Sequence, residues 1–346
     1  MKLDALDRRI LSVLQSGFPL APRPFADIGE QVGLSEEQVL ERVESYRHGG
    51  ILRQISAIFD TRRLGYQSIL VAVRTEPALR DGVAAVLNRH PGVSHNYGRT
   101  HGFNLWFTLA VHPEEDLQRT IDDLMAQCTV QAVRSLPMER FFKIGVNFNL
   151  DDNTNVSAPS QGTAQVAQST DPVPLSDFDI AVIRELQEDF ALGVEPYAGM
   201  AQRLGVTQEV LFSLAASLKD RGALRRVSAV LHHRRAGMTA NAMICWRVPA
   251  ERAEEVGGIL AARPEVSHCY QRPTYPDWPY SHFSMVHARK RADCEAVAQE
   301  MATQTGIDDY VILLSTREFK KTRVRYFVED QWRQEYRQAM AAGAAR

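Results

Sequence analysis

Val266-Ser-His-Cys-Tyr-Gln-Arg-Pro-Thr-Tyr-Pro-Asp-Trp-Pro-Tyr-Ser-His-Phe-Ser-Met-Val-His-Ala288 holds three histidines (His268, His282, His287), Arg272 and four rings suited to a flat ligand, Tyr270, Tyr275, Trp278 and Tyr280. Pro273, Pro276 and Pro279 stiffen its middle, because proline lacks a backbone donor and interrupts ladders and helices alike. The stretch reads as a strand, a rigid decorated loop and a second strand. A weaker twin stands at Val93-Ser-His-Asn-Tyr-Gly-Arg-Thr-His-Gly-Phe-Asn-Leu-Trp-Phe-Thr-Leu-Ala-Val111. His95-x-Tyr97-x-Arg99 matches His268-x-Tyr270-x-Arg272 at a spacing of 173 residues.

Two further matches fall at a spacing of 172. Arg23-Pro-Phe-Ala-Asp-Ile28 pairs with Glu195-Pro-Tyr-Ala-Gly-Met200, and Leu52-Arg-Gln-Ile-Ser-Ala57 with Leu224-Arg-Arg-Val-Ser-Ala229. Three matches in one order mark a tandem duplication, and the period is far too long for a solenoid. Each copy opens with helices. Leu6, Ile10, Leu11 and Leu14 recur at helical spacing, Ser35 and Gln38 form a capping box, and Gly49-Gly50 stops the third helix. That order is a helix-turn-helix or winged helix. A β-like run over 51–59 follows. Strands are expected at 68–74, 93–99, 104–111 and 130–136, with helices at 78–89 and 114–126. The second copy repeats this at 226–231, 240–247, 250–262, 266–271, 281–288, 291–304 and 309–315. The order βαββαβ is the ferredoxin-like sandwich. The expected fold is therefore α+β, a tandem duplication of a helix-turn-helix unit and a ferredoxin-like unit. Expected boundaries are 1–50 and 51–151 for copy one, and 175–222 and 223–330 for copy two. A polar segment at 152–174 reads as a flexible linker, and 331–346 as a C-terminal helix or tail.

The bulk numbers narrow the function. A hydrophobic content of 45% and a charged content of 24% over 346 residues are those of an ordinary globular chain. A net charge of −2 lacks the basic footprint of a nucleic-acid binder. Cys128, Cys245, Cys269 and Cys294 show no CxxC or metal spacing and suit a reducing cytoplasm. No signal-like or membrane-length apolar run stands out. P-loop, GxGxxG, nucleophile-elbow and HExxH patterns are missing.

A helix-turn-helix followed by βαββαβ resembles the leucine- and asparagine-responsive (Lrp/AsnC-like) regulators. In those proteins the third helix enters the major groove. Here it carries Glu36, Glu37 and Glu41 in copy one, and Val210, Leu211 and Phe212 in copy two. DNA affinity rests on neutralised phosphates, so both helices read as packing elements. A DNA-binding regulator sensing haem or a small molecule is the alternative reading. A more specific resemblance lies in the strands and loops. Residues 93–109 resemble the first subunit of the sirohaem decarboxylases, and residues 226–246 and 266–287 the second. Unlike halves in tandem resemble the fused form from the d1-haem biosynthesis route. His232 and His282 depart from the family pattern, where arginine and leucine are expected.

That resemblance implies sirohaem as substrate, an iron tetrapyrrole bearing eight carboxylates. Two acetate side chains lose CO2 to give didecarboxysirohaem. It implies a non-oxidative carboxy-lyase with no cofactor or metal beyond the substrate's own iron. It also implies no nucleic acid or membrane partner and an intramolecular pseudo-dimer. A further homodimer and contacts with other d1-haem biosynthesis proteins stay open. Such a substrate needs a flat apolar slot, for which Phe103, Trp106, Met243, Trp246, Tyr270, Trp278 and Phe283 are candidates. Trp106 and Phe283, inside strand runs, read first as core, whereas Trp278 between prolines reads as slot. Carboxylates call for arginine forks. Candidate substrate-binding residues are Arg53, Arg99, Arg225, Arg226, Arg272, Tyr97, Tyr270, Trp278, Lys143 and Lys321, with Arg234, Arg235 and Lys320 behind them. A proton must replace each lost carboxylate, and histidine can deliver it near neutral pH. His101 and His233 lead as candidate donors, then His95 and His268, whose matching places also suit a shared structural bond. His287 reads as structural. The arrangement expected is arginines on the spectator carboxylates and histidines beside the reacting acetates.

Overall fold

The computed structural model describes residues 3–144, 171–231, 240–288 and 290–328, with Ile144 described by its backbone alone. The expected linker up to residue 170, the expected tail, His232, His233, Arg234 and Arg235 lie outside these residues. Asp4 caps α1 (Ala5–Ser16) through a reciprocal bond with Asp7, and the helix buries Ile10, Leu11 and Leu14. Helix α2 (Pro24–Val32) starts on proline and ends at Gly33, whose φ of 77° is the left-handed conformation glycine adopts freely. Helix α3 (Glu36–His48) carries the expected Ser35–Gln38 capping box. Copy two repeats the trio as α6 (Asp177–Leu186), α7 (Ala198–Arg203) and α8 (Gln208–Asp220).

The two helical units share one core. The rings of Phe18 and Phe190, equivalent in the repeat, meet at 6.1 Å. The Phe18 amide donates to the Val227 carbonyl at 2.7 Å, and the Phe190 amide to that of Ile55 at 2.9 Å. Between the units lies a two-stranded antiparallel ribbon of β1 (Leu52–Phe59) and β7 (Leu224–Leu231), in which Ser56 faces Ser228. Those serines are also equivalent in the repeat, so a pseudo-two-fold axis passes between them. Neither strand joins the ferredoxin-like sheet that follows it. Each pairs with its own counterpart from the other copy.

The ferredoxin-like parts supply β2 (Gln67–Arg74), α4 (Arg80–Asn88), β3 (Val93–Arg99), β4 (Leu105–Val111), α5 (Leu117–Met125), β5 (Ala132–Leu136) and β6 (Arg140–Ile144) from copy one. Copy two supplies β8 (Ala240–Trp246), α9 (Ala253–Ala262), β9 (Val266–Gln271), β10 (His282–Ala288), α10 (Arg291–Thr305) and β11 (Tyr310–Lys321). They form one nine-stranded sheet in the order β5-β2-β4-β3-β11-β8-β10-β9-β6. Its two edge strands, β5 and β6, are separated in the chain only by Pro137-Met138-Glu139. The edges therefore meet, and the sheet curls on itself into a barrel with a proline kink at the seam. Strand β11 is the unbroken equivalent of β5 and β6. Its first half pairs with β8 of its own copy, and its second half with β3 of the other. Likewise β5 pairs with β2 of its own copy, whereas β6 crosses to β9.

Helices α4 and α5 cover the outer face beside Val71, Phe107 and Leu109. Helices α9 and α10 cover it beside Ala242, Ile244 and Trp246. The inner face gathers Trp106, Met243, Cys245, Trp278, Phe283 and Leu313. Two features depart from expectation: β11 runs on to Lys321, and β6 exists. Both depend on a partner strand from the other copy. No described helix is long and apolar enough to cross a membrane.

The crossing of β6 makes a stability prediction. A Cβ on Gly257 of α9 would lie 2.2 Å from the ring of Phe142, a β6 residue that stacks on His282 at 5.5 Å. Gly257→Ala is expected to cost about 1–3 kcal/mol by overpacking, read as a lower midpoint in denaturant unfolding. An unchanged midpoint would mean that β6 does not seat on α9.

Candidate active site

Alternation along β3 sends His95, Tyr97 and Arg99 to the inner face. Asn96 turns outward, where its Nδ2 donates to the Ala84 carbonyl at 3.3 Å and to Asn88 Oδ1 at 2.9 Å. Strand β9 does the same with His268, Tyr270 and Arg272, while the Cys269 thiol turns to the Gly257 carbonyl of α9. The two triplets have matching geometry. Arg99 Nη1 donates to the Leu313 carbonyl at 3.1 Å and to Ser315 Oγ at 2.8 Å, and Arg272 Nη1 donates to the Leu136 carbonyl. Arg99 thus reaches β11 of copy two, and Arg272 reaches β5 of copy one, the equivalent of the first half of β11. Each guanidinium lies 5.2 Å from the ring of its own tyrosine. Neither meets a carboxylate, and the Nε of each has no partner among the described residues. Burial lowers both to about 10, which still leaves them charged at neutral pH.

The histidines also match. His95 Nδ1 is hydrogen-bonded to Ser94 Oγ at 3.0 Å, and His268 Nδ1 to Ser267 Oγ at 2.8 Å. Burial, then Lys321 and Arg53, hold His95 down to about 4. Burial, then His95 and Lys143, hold His268 down to about 4. The two imidazoles are therefore neutral near pH 7 and lie within electrostatic reach of each other. More cations converge at this end. Arg53 Nη2 donates to the Lys321 carbonyl at 2.8 Å. Arg323 Nη1 donates to Ser56 Oγ at 2.8 Å and to the Ala57 carbonyl at 3.2 Å. Burial, then Arg53, lowers Arg323 to about 10. Burial, then Arg225, lowers Arg226. Arg53, Arg226 and Arg323 make no ion pair among the described residues. Arg323 escaped the sequence reading, although it closes the basic run Lys320-Lys321-Thr322-Arg323 at the end of the last strand.

Other candidates fall elsewhere. His101 stands at the opposite end of the barrel, where its Nδ1 accepts from the Phe103 amide at 3.0 Å and its ring meets Trp278 edge-on at 5.3 Å. Trp278, expected to wall a slot, is fully buried against Trp106, Phe103 and Phe283. Its loop is clamped by Asp277, which accepts from Arg134 at 2.8 Å and from Arg74 at 3.4 Å. Trp246 also departs from expectation, since it faces the helices and donates to Ser284 Oγ at 2.9 Å. Lys143 donates to the Arg263 carbonyl at 2.7 Å, just beyond α9. Its counterpart Lys320 donates to the carbonyls of Asn88 and His90 at the end of α4. Both lysines therefore hold helix ends. Arg225 is paired with Asp60 at 2.6 Å. His282 is buried on the outer face against the Ala253 carbonyl, and His287 is bonded to Ser267 Oγ. On α3 the exposed face carries Glu37, Glu41 and Glu44, so a grip on phosphates is the less supported use of these helical units.

Fold and site together define a doubled ligand-binding barrel flanked by helix-turn-helix units. A family model for the AsnC-like ligand binding domain matches residues 63–143 and 235–320. One for the siroheme decarboxylase NirDL-like HTH domain matches residues 7–53 and 179–225. The chain is 39% identical over 323 residues to a siroheme decarboxylase of Hydrogenobacter thermophilus, covering 93% of this chain and 95% of that one. It belongs to the sirohaem decarboxylase family. A siroheme decarboxylase beta subunit of Methanosarcina barkeri is 45% identical over 147 residues, 42% of this chain and 97% of that one. Single-copy relatives of this kind agree with the internal pseudo-dimer. A crystal structure of the siroheme decarboxylase NirDL in co-complex with an iron-uroporphyrin III analogue aligns at a TM-score of 0.76 and 33% identity, over 98% of this chain and 99% of that one.

The depressed histidines set a pH dependence. Their folded values near 4 lie below the ordinary value of about 6.5, so the unfolded chain takes up protons first as pH falls. Their contribution to stability is complete above about pH 6.5 and is lost as pH falls towards about 4. In NMR titrations of the empty protein, the His95 and His268 imidazoles are expected to stay neutral down to about pH 5. Either one titrating near its ordinary value would contradict the burial described here.

Proposed function

We propose that this enzyme is a carboxy-lyase acting on sirohaem, removing CO2 from two acetate side chains to give didecarboxysirohaem. The observation that carries the reading is the interior of the barrel. It holds cations that meet no carboxylate among the described residues, beside two neutral histidines, in a chain whose relatives bear that activity in their names. Uncompensated buried cations are costly, and a ring of carboxylates is a chemically fitting compensation. Arg53, Arg226 and Arg323 are assigned to carboxylates that do not react. Arg99 and Arg272 fix the tyrosines that flank them.

Each step breaks one C–C bond, releases CO2, and places one proton on the carbon left behind, with no net change in electrons. His95 and His268 are the proposed donors. In the empty protein the nearby cations oppose their protonation. A polyanionic substrate neutralises those cations and raises both histidines towards the range where an imidazolium can donate. Binding and proton loading are thereby coupled. The iron belongs to the substrate, and no further cofactor is assigned. Localisation in the cytoplasm is part of the same proposal, resting on the reduced cysteines.

Anaerobic incubation with sirohaem, followed by mass spectrometry, is expected to show loss of two CO2 units. Unchanged substrate would refute the reading. His95→Gln or His268→Gln is expected to lower kcat by about 10²–10⁴-fold with a smaller effect on KM. Arg323→Ala is expected instead to weaken binding, by about tenfold for one lost charge-assisted contact. The same shift in kcat and KM for all three variants would merge roles that are assigned separately here.

A further inference from the structure

The inner faces of the two halves are related by the pseudo-two-fold but are not alike. In one half Tyr97 faces Glu318 across the β3–β11 pairing, with Tyr97 Oη donating to Glu318 Oε2 at 3.5 Å. In the other, Tyr270 faces Phe141 across the β9–β6 pairing, with the rings 6.1 Å apart and tilted by 48°. Glu318 and Phe141 are equivalent positions. Their next neighbours, Phe319 and Phe142, both pack under helices, and the following Lys320 and Lys143 both hold helix ends. Phe141 is 45% exposed, one of few large apolar side chains so placed among the described residues. Burial pushes the Tyr270 hydroxyl up to about 12, and the nearby charges of Arg272, Arg225 and Arg62 oppose that rise. The wall of two rings is thus bordered by cations, whereas its counterpart carries a carboxylate.

We propose that Phe141 and Tyr270 form the seat for one face of the tetrapyrrole, and that Glu318 bars the equivalent place beside Tyr97. The proposal rests on the sirohaem reading above and adds which half binds and why. Stacking on an exposed ring removes apolar surface of both partners from water. A ligand fringed with carboxylates is repelled from Glu318 at close range. Each chain therefore takes one macrocycle rather than two.

The test is an absorbance titration of the whole chain with iron uroporphyrin III. The unaltered protein is expected to bind one equivalent. Phe141→Glu copies a Tyr–Glu pair that the fold already holds elsewhere, and is expected to weaken binding by at least about tenfold. Phe141→Leu, which keeps the apolar bulk, is expected to fall between the two. Glu318→Phe is expected to add a second, weaker equivalent. Two equivalents on the unaltered chain, Phe141→Glu binding as the unaltered chain does, or no second equivalent in Glu318→Phe would each overturn the proposal. CO2 release from sirohaem by the unaltered chain is scored separately. A seat lost in Phe141→Glu without any CO2 release retracts the reaction alone, and intact release with unaltered Phe141→Glu binding retracts the seat alone.

Discussion

The structure depends on a reciprocal exchange of strands. Strand β11 of copy two completes the sheet of copy one, and β6 of copy one completes that of copy two. A ferredoxin-like sheet left alone would expose unpaired amides and carbonyls along β3 or β9, and such edges are costly and prone to wrong pairing. The exchange removes both edges. Arg99 and Arg272 repeat the same logic in side chains, Arg99 bonding β11 of copy two and Arg272 bonding β5 of copy one. Lys320 and Lys143 do so at the helix ends. Neither half of the inner face exists without the other copy, which is why the site lies between two ancestral units rather than within one.

That construction sets the electrostatics. Strands from both copies carry their cations towards a shared axis, and the ribbon adds Arg53 and Arg226. Among the described residues no carboxylate neutralises Arg53, Arg99, Arg226, Arg272 or Arg323. Burial and mutual repulsion instead depress the histidines and Arg323. The empty barrel therefore carries an electrostatic cost that a polyanion relieves, and this favours selectivity for heavily carboxylated rings over neutral ones.

Much of this was legible in the residues. The His-x-Tyr-x-Arg twin located β3 and β9 at their observed positions, and the Ser35–Gln38 pair placed the third helix. Those signals are local, carried by period and capping. What escaped depends on contacts between distant segments. No period announces that Ser56 will face Ser228, or that Arg140–Ile144 is a strand, because each partner lies in the other copy. Trp278 misled because prolines mark a loop but do not reveal that the loop folds inward beneath an Asp277 clamp. The lysines Lys143 and Lys320 misled because a free cation and one serving a helix end look identical in one dimension.

Beyond β11 the chain runs between the turn after β1 and helix α6. Tyr326 and Phe327 join the core that the two helical units share, Tyr326 Oη shares a hydrogen bond with Thr61 Oγ1 at 2.7 Å, and the Phe327 amide donates to Tyr66 Oη at 2.6 Å. Phe327 holds a φ of 56°, a conformation few bulky residues accept without such anchoring. The turn from Thr61 to Tyr66 in copy one consequently gains these anchors only once the segment after β11 has been synthesised, so local order near the middle of copy one waits on the far end of copy two.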